Sequence, residues 1–440
     1  LPEQSPLHHH LQTIQRYLER YAEPEALSLP DGAIKAFDSI IVIPVFDEEE
    51  SVLECFLEFR HPLRILMIWV FNVPEGRAGT AEHQRTQALR KRFLLSFQAK
   101  LLSENCYLAD IHADFQLLMV DRTRHLIPDK QGVGLARKIG ADLALQLSYR
   151  QYLQSGRLIP WIYSTDADVR LPEGYAMLTD ENKALSACIY PFVHRTDAVY
   201  LQAMSQYEFS LHYYVDRLAS AGSPYAFHTI GSLIAFTPLA YAQVRGFPKR
   251  AGAEDFYLLN KLAKVGGVMR AEGPVIDIAG RPSQRVPFGT GPALRRIDEA
   301  ARRGEAFRLY HPRIFDLLRL VLNSLDEVEI SVAQARLHFL PANSTLHAEE
   351  EIRQVNQVLA DLGLLKQIPH LRQKKNSEAF RQAFHIWFDA FLTLRFVHEI
   401  RDRLYPNINL LDLPALYDAG HIRGAVLDYP EWFETLGISR

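Results

Sequence analysis

Along the first part of the chain, short unbroken apolar runs take turns with longer stretches whose apolar residues recur every three to four positions. FDSIIVIPVF at 37–46, RILMIWVFN at 64–72, FQLLMVD at 115–121 and IPWIYSTD at 159–166 are runs of the first kind. They have little of the apolar–polar alternation of a strand with one wet face, so they predict strands buried on both faces. DEEESVLECFLEF at 47–59 places acidic residues before an apolar face and predicts a loop passing into a helix. A long, partly basic helix is predicted over 80–102 and another over GVGLARKIGADLALQL at 132–147, with a first helix and a Pro-containing linker over 8–30. Strands alternating with helices imply an α/β domain with a largely parallel sheet covered by helices.

Further along, CIYPFVHRTD at 188–197 predicts a returning strand, SQYEFSLHYYVDRLASAG at 205–222 an amphipathic helix, and AGAEDFYLLNKL at 251–262 a helix entered through an acidic pair. In the amphipathic helix, Tyr207, Phe209 and Tyr213 have the spacing of core packing. Helical spacing also dominates 348–363 and 376–405. The expected organisation is an N-terminal helix and linker over 1–36, an α/β domain over 37–290 and a mostly helical region over 291–440. Ligands of such sheets bind outside the carboxyl ends of the strands, where Asp47, Asn72, Asp121 and Asp166 fall.

Composition narrows the function classes. The 440 residues are 48% hydrophobic and 23% charged, and the formal net charge of -3 gives no global positive field for nucleic acid. The three cysteines, Cys55, Cys106 and Cys188, are too scattered for a disulfide framework or a thiolate zinc site. The opening LPEQSPLHHHLQ lacks the form of a signal peptide, and no run of about eighteen apolar residues occurs. A cytoplasmic protein is therefore expected, with Trp387, Phe388 and Phe391 either packing in a helix or touching a membrane surface.

In WIYSTDADVR the carboxylates of Asp166 and Asp168 are one residue apart at a strand end, so they project from one face and repel unless a cation lies between them. Taken alone, the same residues also suit a turn or a cap. Glu254 and Asp255 likewise suit an ordinary helix start, or a carboxylate that takes a proton from a hydroxyl.

Four pieces in order, IIVIPVFDEEESVLECF, GVGLARKIGADLAL, the strand-end DAD, and GSLIAFTPLAYAQVRGFPKRAGAEDFYLLNKLAKVGG at 231–267, resemble a family 2 type glycosyltransferase with the GT-A nucleotide-sugar-binding fold. The resemblance covers roughly residues 37–280. It implies metal-dependent transfer of a sugar from a nucleoside-diphosphate sugar, UDP- or GDP-linked, to a hydroxyl of a small molecule, a glycan or a lipid-linked sugar. On it, Asp168 and Asp166 bind Mg²⁺ or Mn²⁺, oxygen-only coordination suiting either ion. Asp255 is the expected general base, with Glu254 as positioning or reserve group. Pro44, Asp47, Glu48, Asn72, Arg137, Asp166, Arg281 and Arg285 are expected to line the donor pocket.

The chain departs from the family's pattern in carrying Asp47 where Asn is familiar and Lys138 where Asn follows the Arg. It also lacks a histidine over 273–291, which leaves Asp277 as a substitute ligand candidate. An inverting transferase is expected. A retaining enzyme of the same fold, a nucleotidyltransferase and a noncatalytic nucleotide-sugar-binding protein are the alternatives. The helical C-terminal region could cover an acceptor cleft or form a homo-oligomer surface.

Overall fold

The computed structural model describes residues 6–57, 59–179, 184–281, 289–326, 328–329 and 348–438. Arg285 lies outside them. In chain order the elements are α1 (Pro6–Tyr21), α2 (Pro24–Ser28), β1 (Ser39–Val45), α3 (Ser51–Leu57), β2 (Ile65–Pro74), α4 (Ala81–Ser96), β3 (Lys100–Ser103), β4 (Cys106–His112), β5 (Phe115–Ile127) and α5 (Gly132–Ser155). They continue with β6 (Ile162–Ser164), β7 (Val169–Arg170), β8 (Leu185–Ile189), β9 (Phe192–Arg195), α6 (Leu201–Ser220), β10 (Ile234–Phe236), α7 (Pro238–Gln243), α8 (Glu254–Leu262), β11 (Gly267–Arg270) and β12 (Ile276–Ala279). Helices dominate the remainder, including Pro312–Asn323, Glu349–Asp361, Ser377–Trp387 and Ala390–Arg403. A mixed sheet flanked by helices, followed by a mostly helical C-terminal region, is the α/β arrangement expected from the sequence.

The chain forms two compact units, residues 1–196 with 229–292, and residues 197–228 with 293–440. In the first, nine strands run in the order β11-β8-β10-β6-β1-β2-β5-β4-β3. The central strands β6, β1, β2 and β5 are mutually parallel, β10 runs against β6 and β8, and β3–β4–β5 form an antiparallel edge. A small second sheet has the order β7-β12-β9. All seven residues of β1 are buried, as its continuous apolar run requires. The edge strand β3 is the one place where the expected helix over 80–102 fails. Its exposed Leu101 pairs with Tyr107 in a hairpin, whereas α4 stops at Ser96.

Helix α5 is buried along most of its length, and a Cβ at Gly140 would lie 2.3 Å from Val42 Cγ1, so the glycine lets the helix settle on β1. The same helix anchors α1. Asp142, fully buried, accepts hydrogen bonds from the Tyr17 hydroxyl at 2.5 Å, the Tyr241 hydroxyl at 2.9 Å, the Glu23 amide at 2.8 Å and Lys138 Nζ at 2.9 Å. Burial pushes its carboxyl above the usual range, and Lys138 and Tyr17 pull it back. The Arg-Gly-Phe step serves this hub: at Gly246, φ is +69° and a Cβ would lie 2.4 Å from the Tyr17 hydroxyl oxygen.

The second unit has its own core, in which Phe209 and Tyr213 of α6 pack with Ile314, Phe315 and Leu318. Asp216 on the same helix accepts from the amides of Val426 and Leu427 and from the Tyr429 hydroxyl, tying the chain's last helices to this core. Phe388 is buried here and Trp387 packs beside it, while Phe391 is partly exposed. Among the described residues no helix is long and apolar enough to cross a membrane.

The α1 hub generates a stability expectation. Asp142→Ala leaves the buried Lys138 ammonium without its carboxylate, and breaking a buried pair by removing one partner costs about 3–5 kcal/mol. Urea unfolding followed by circular dichroism measures this. A loss below about 1 kcal/mol would show that the hub does not hold the helix.

Candidate functional site

The ends of β1 and β6, the start of α8 and the end of β12 bring the acidic motifs together in the first unit. Ser164 ends β6, and Asp166 and Asp168 follow it into a turn at residues 167–168, so the one-face alternation expected of a continuing strand does not extend to Asp168. Asp166 Oδ1 accepts from Arg137 Nη2 at 2.6 Å, and Arg137 Nη1 donates to Ser164 Oγ at 2.8 Å and to the Thr165 carbonyl at 3.3 Å. The third edge of the guanidinium, Nε, donates to Glu254 Oε1 at 3.0 Å. One cation, itself only 3% exposed, thus joins the DAD strand end to the acidic start of α8. Its burial opposes the charge, but Asp166, Glu254 and Asp255 more than offset this and raise the group above its ordinary value.

Glycines make this approach geometrically available. A Cβ at Gly231 would lie 2.4 Å from Arg137 Nη2, so the Gly-Ser step before β10 leaves the space that the guanidinium fills. At the start of α5, the Gly134 amide donates to the Arg250 carbonyl at 3.0 Å, and a Cβ there would lie 2.4 Å from the Pro248 carbonyl oxygen. The loop leading to the acidic pair is therefore clamped directly on the helix that carries Arg137. It ends at Ala253, whose φ of +59° is uncommon for a residue with a Cβ.

The Asp255 carboxyl is displaced from ordinary behaviour. Burial and the adjacent Glu254 push it up to about 7, against the Phe256 amide and Arg137, which favour its ionised form. The Phe256 amide donates to Asp255 Oδ1 at 2.7 Å. A carboxyl poised there can exchange a proton with a neutral hydroxyl near physiological pH.

Around the DAD carboxylates, Arg281 Nη2 donates to Asp168 Oδ2 at 3.2 Å and also to Glu48. Glu48 is buried, so the guanidinium links the loop after β1 to the strand end. Among the described residues, Glu48, Asp166, Asp168, Glu254 and Asp255 outnumber Arg137 and Arg281 at this site. Among the described residues no group of three or more His, Cys, Asp or Glu side chains has the arrangement of a metal site. Asp166 and Asp168, each paired with an arginine, offer oxygen donors only, the ligand type that suits Mg²⁺ or Mn²⁺.

The other expected donor-side residues have diverse surroundings. Pro44 is buried in β1, paired in register with Val70. Asp47 has φ +56°, a left-handed conformation that Asp and Asn tolerate better than most residues, and accepts from Arg85 Nε at 2.7 Å. Asn72 is buried, and its amide nitrogen donates to the carbonyls of Val45 and Val70, both at 3.2 Å. Asp121 accepts from the Thr123 amide and hydroxyl and pairs with Arg90. Asp277 pairs with Arg195 at 3.0 Å. The sequence reading passed over Ser164 and Arg85. Ser164 was detectable as the same-side residue two positions before Asp166, whereas nothing local signals that Arg85 on α4 meets Asp47.

No protein-family model matches the chain, and no curated protein matches it. A solved structure that does match is the mannosyltransferase PcManGT from Pyrobaculum calidifontis, in complex with GDP-Man and Mn²⁺. It is 16% identical, the match covers 86% of this chain and 95% of that chain, and the TM-score is 0.32. At that identity and TM-score the likeness assigns no function.

The raised Asp255 carboxyl has a measurable consequence for stability. The folded protein retains its proton up to about pH 7, whereas an unfolded aspartate releases it near 4. The favourable contribution of the protonated form is thus complete in acid and lost as pH rises through that window. Asp255→Asn removes the loss, so the variant is expected to melt higher than wild type at pH 8, with the gap narrowing towards pH 5. Thermal denaturation at both pH values checks this, and a variant less stable at pH 8 would contradict it.

Proposed function

We propose that the protein transfers a sugar from a nucleoside-diphosphate sugar to an acceptor hydroxyl, with inversion at the anomeric carbon. The observation that carries this reading is the joining of Asp166 to Glu254 through Arg137, which brings the paired strand-end carboxylates next to a carboxyl shifted to about 7. The order of motifs that resembles family 2 transferases supports the same assignment. Asp255 accepts the acceptor proton as its oxygen bonds to the anomeric carbon. The bond from that carbon to the phosphate oxygen breaks, and the nucleoside diphosphate leaves.

Asp168 and Asp166 would hold Mg²⁺ or Mn²⁺, which supplies positive charge against the negative charge growing on the departing diphosphate. Arg281, itself paired with Glu48, orients Asp168. Glu254, held by Arg137, keeps the neighbouring Asp255 carboxyl from losing its proton too early in the pH range. The loop after β1, with Asp47 and Glu48, together with the end of β2, borders the nucleoside. Hydrolysis by two carboxylates would need no nucleotide pocket and leaves this strand-end arrangement unexplained.

Two variants separate the roles. Asp168→Asn retains the shape but not the charge of a metal ligand, so the gain in donor affinity on adding Mn²⁺ is expected to fall by at least about tenfold, equivalent to roughly 1.4 kcal/mol. Calorimetric titration of a panel of nucleotide sugars with and without Mn²⁺ measures it, and an unchanged metal-dependent gain in a folded variant would remove Asp168 from coordination. Asp255→Asn is expected to keep donor affinity and to lose roughly 10²–10⁴-fold in single-turnover transfer. The wild-type rate should fall below about pH 7, because the base must be ionised. A flat profile between pH 5 and 8 would exclude Asp255 as that base.

A further inference from the structure

Helix α5 carries the Arg of a segment that, by resemblance, would face the donor diphosphate, and its guanidinium is fully engaged by groups of the protein itself. Its four hydrogen bonds go to Glu254 Oε1, Ser164 Oγ, the Thr165 carbonyl and Asp166 Oδ1. It is 3% exposed and packed against Gly231, where a Cβ would lie 2.4 Å from Nη2. A group so enclosed cannot turn towards a ligand without abandoning two buried or half-buried carboxylates, which are costly to leave unpaired.

We propose that Arg137 is a positioning residue, which locks Asp166 on the donor side to Glu254 on the acceptor side and so sets where Asp255 stands, without binding the diphosphate. The inference rests on the transfer reading above and adds to it the device that registers the two halves of the site.

Three features of the chain converge on this role. A guanidinium has donors along three edges in a fixed plane, so it can hold groups on the strand end and on the helix start at once. The single ammonium of a lysine cannot span them in that geometry. Gly231 is small where the fork needs room. The clamp between Gly134 and the Arg250 carbonyl, one turn before Arg137, holds the loop that delivers Glu254 against the same helix. Movement of either carboxylate pair is thus transmitted to the other through one rigid group.

The test uses the full chain and two substitutions that disturb the fork differently. Arg137→Lys keeps a charge without the planar fork, and Gly231→Ala keeps the arginine but pushes on Nη2. Both are expected to lower single-turnover transfer about 10- to 100-fold at saturating donor, since a misplacement of about 1 Å costs on that order. Donor affinity in the presence of Mn²⁺ should stay within about threefold of wild type. Loss of donor affinity with transfer at saturation unchanged would overturn the proposal in favour of a diphosphate contact. Wild-type values for both would reduce Arg137 to a packing role.

A substrate-free measurement separates this inference from the transfer reading. Asp255 is faced by Glu254 and Asp166, which raise its titration, and by the Phe256 amide and Arg137, which lower it. In a ¹³C-carboxyl titration of Asp255, Arg137→Gln is therefore expected to move the midpoint upward, and an unmoved midpoint would overturn the proposal. Should that variant fail to fold, the Gly231→Ala protein, which keeps every charge, carries the rate test. If wild type binds no nucleotide sugar, the transfer reading fails, and the titration still decides whether Arg137 governs the acidic pair.

Discussion

A guanidinium removed from water must find carboxylates, and the site is arranged around that requirement at Arg137. Desolvating the charge is expensive, and only close, well-oriented acceptors return the cost. Asp166 from the end of β6 and Glu254 from the start of α8 supply them, with Ser164 and the Thr165 carbonyl taking the remaining edge. Two distant stretches of sequence are thereby held to one point on α5. The small residues Gly134 and Gly231 follow from it, because a side chain at either position would strike the atoms that have to meet there.

The same helix faces two ways through adjacent residues. Arg137 points into the acidic site, and Lys138, about 100° further around the helix, reaches Asp142 and the Tyr17 hydroxyl in the hub that holds α1. The basic pair therefore does two separate jobs. One charge organises the candidate chemistry, and the other fixes the N-terminal helix to the α/β unit, so the lysine that departs from the family's pattern has a structural partner of its own.

Charge balance decides what the site can host. Among the described residues Arg137 and Arg281 pair with part of the carboxylate set, and burial together with Glu254 and Asp166 raises the cost of ionising Asp255. Carboxylates outnumbering cations in one place is the electrostatic ground on which the transfer proposal rests.

The alternation of unbroken apolar runs with helical spacing was sufficient to read β1, β2, β5, β6 and α5, because a strand covered on both faces and a helix buried along its length leave strong signals in residue type. The edge hairpin β3–β4 left no such signal, since KLLS at 100–103 is short and its Leu101 faces water, so pairing with β4 is what makes it a strand. The acidic motifs suited turns and helix starts equally well by themselves, and became candidates through the order of motifs that resembles a known family. Their partners were not legible: that Arg137 turns to Glu254, that Arg281 bridges Glu48 and Asp168, and that Asn72 bonds to strand carbonyls depend on where distant segments come to rest. Local sequence sets the period and face of each element. The direction of a buried charge is settled only when the fold brings its counter-charges within hydrogen-bond reach and takes the water away.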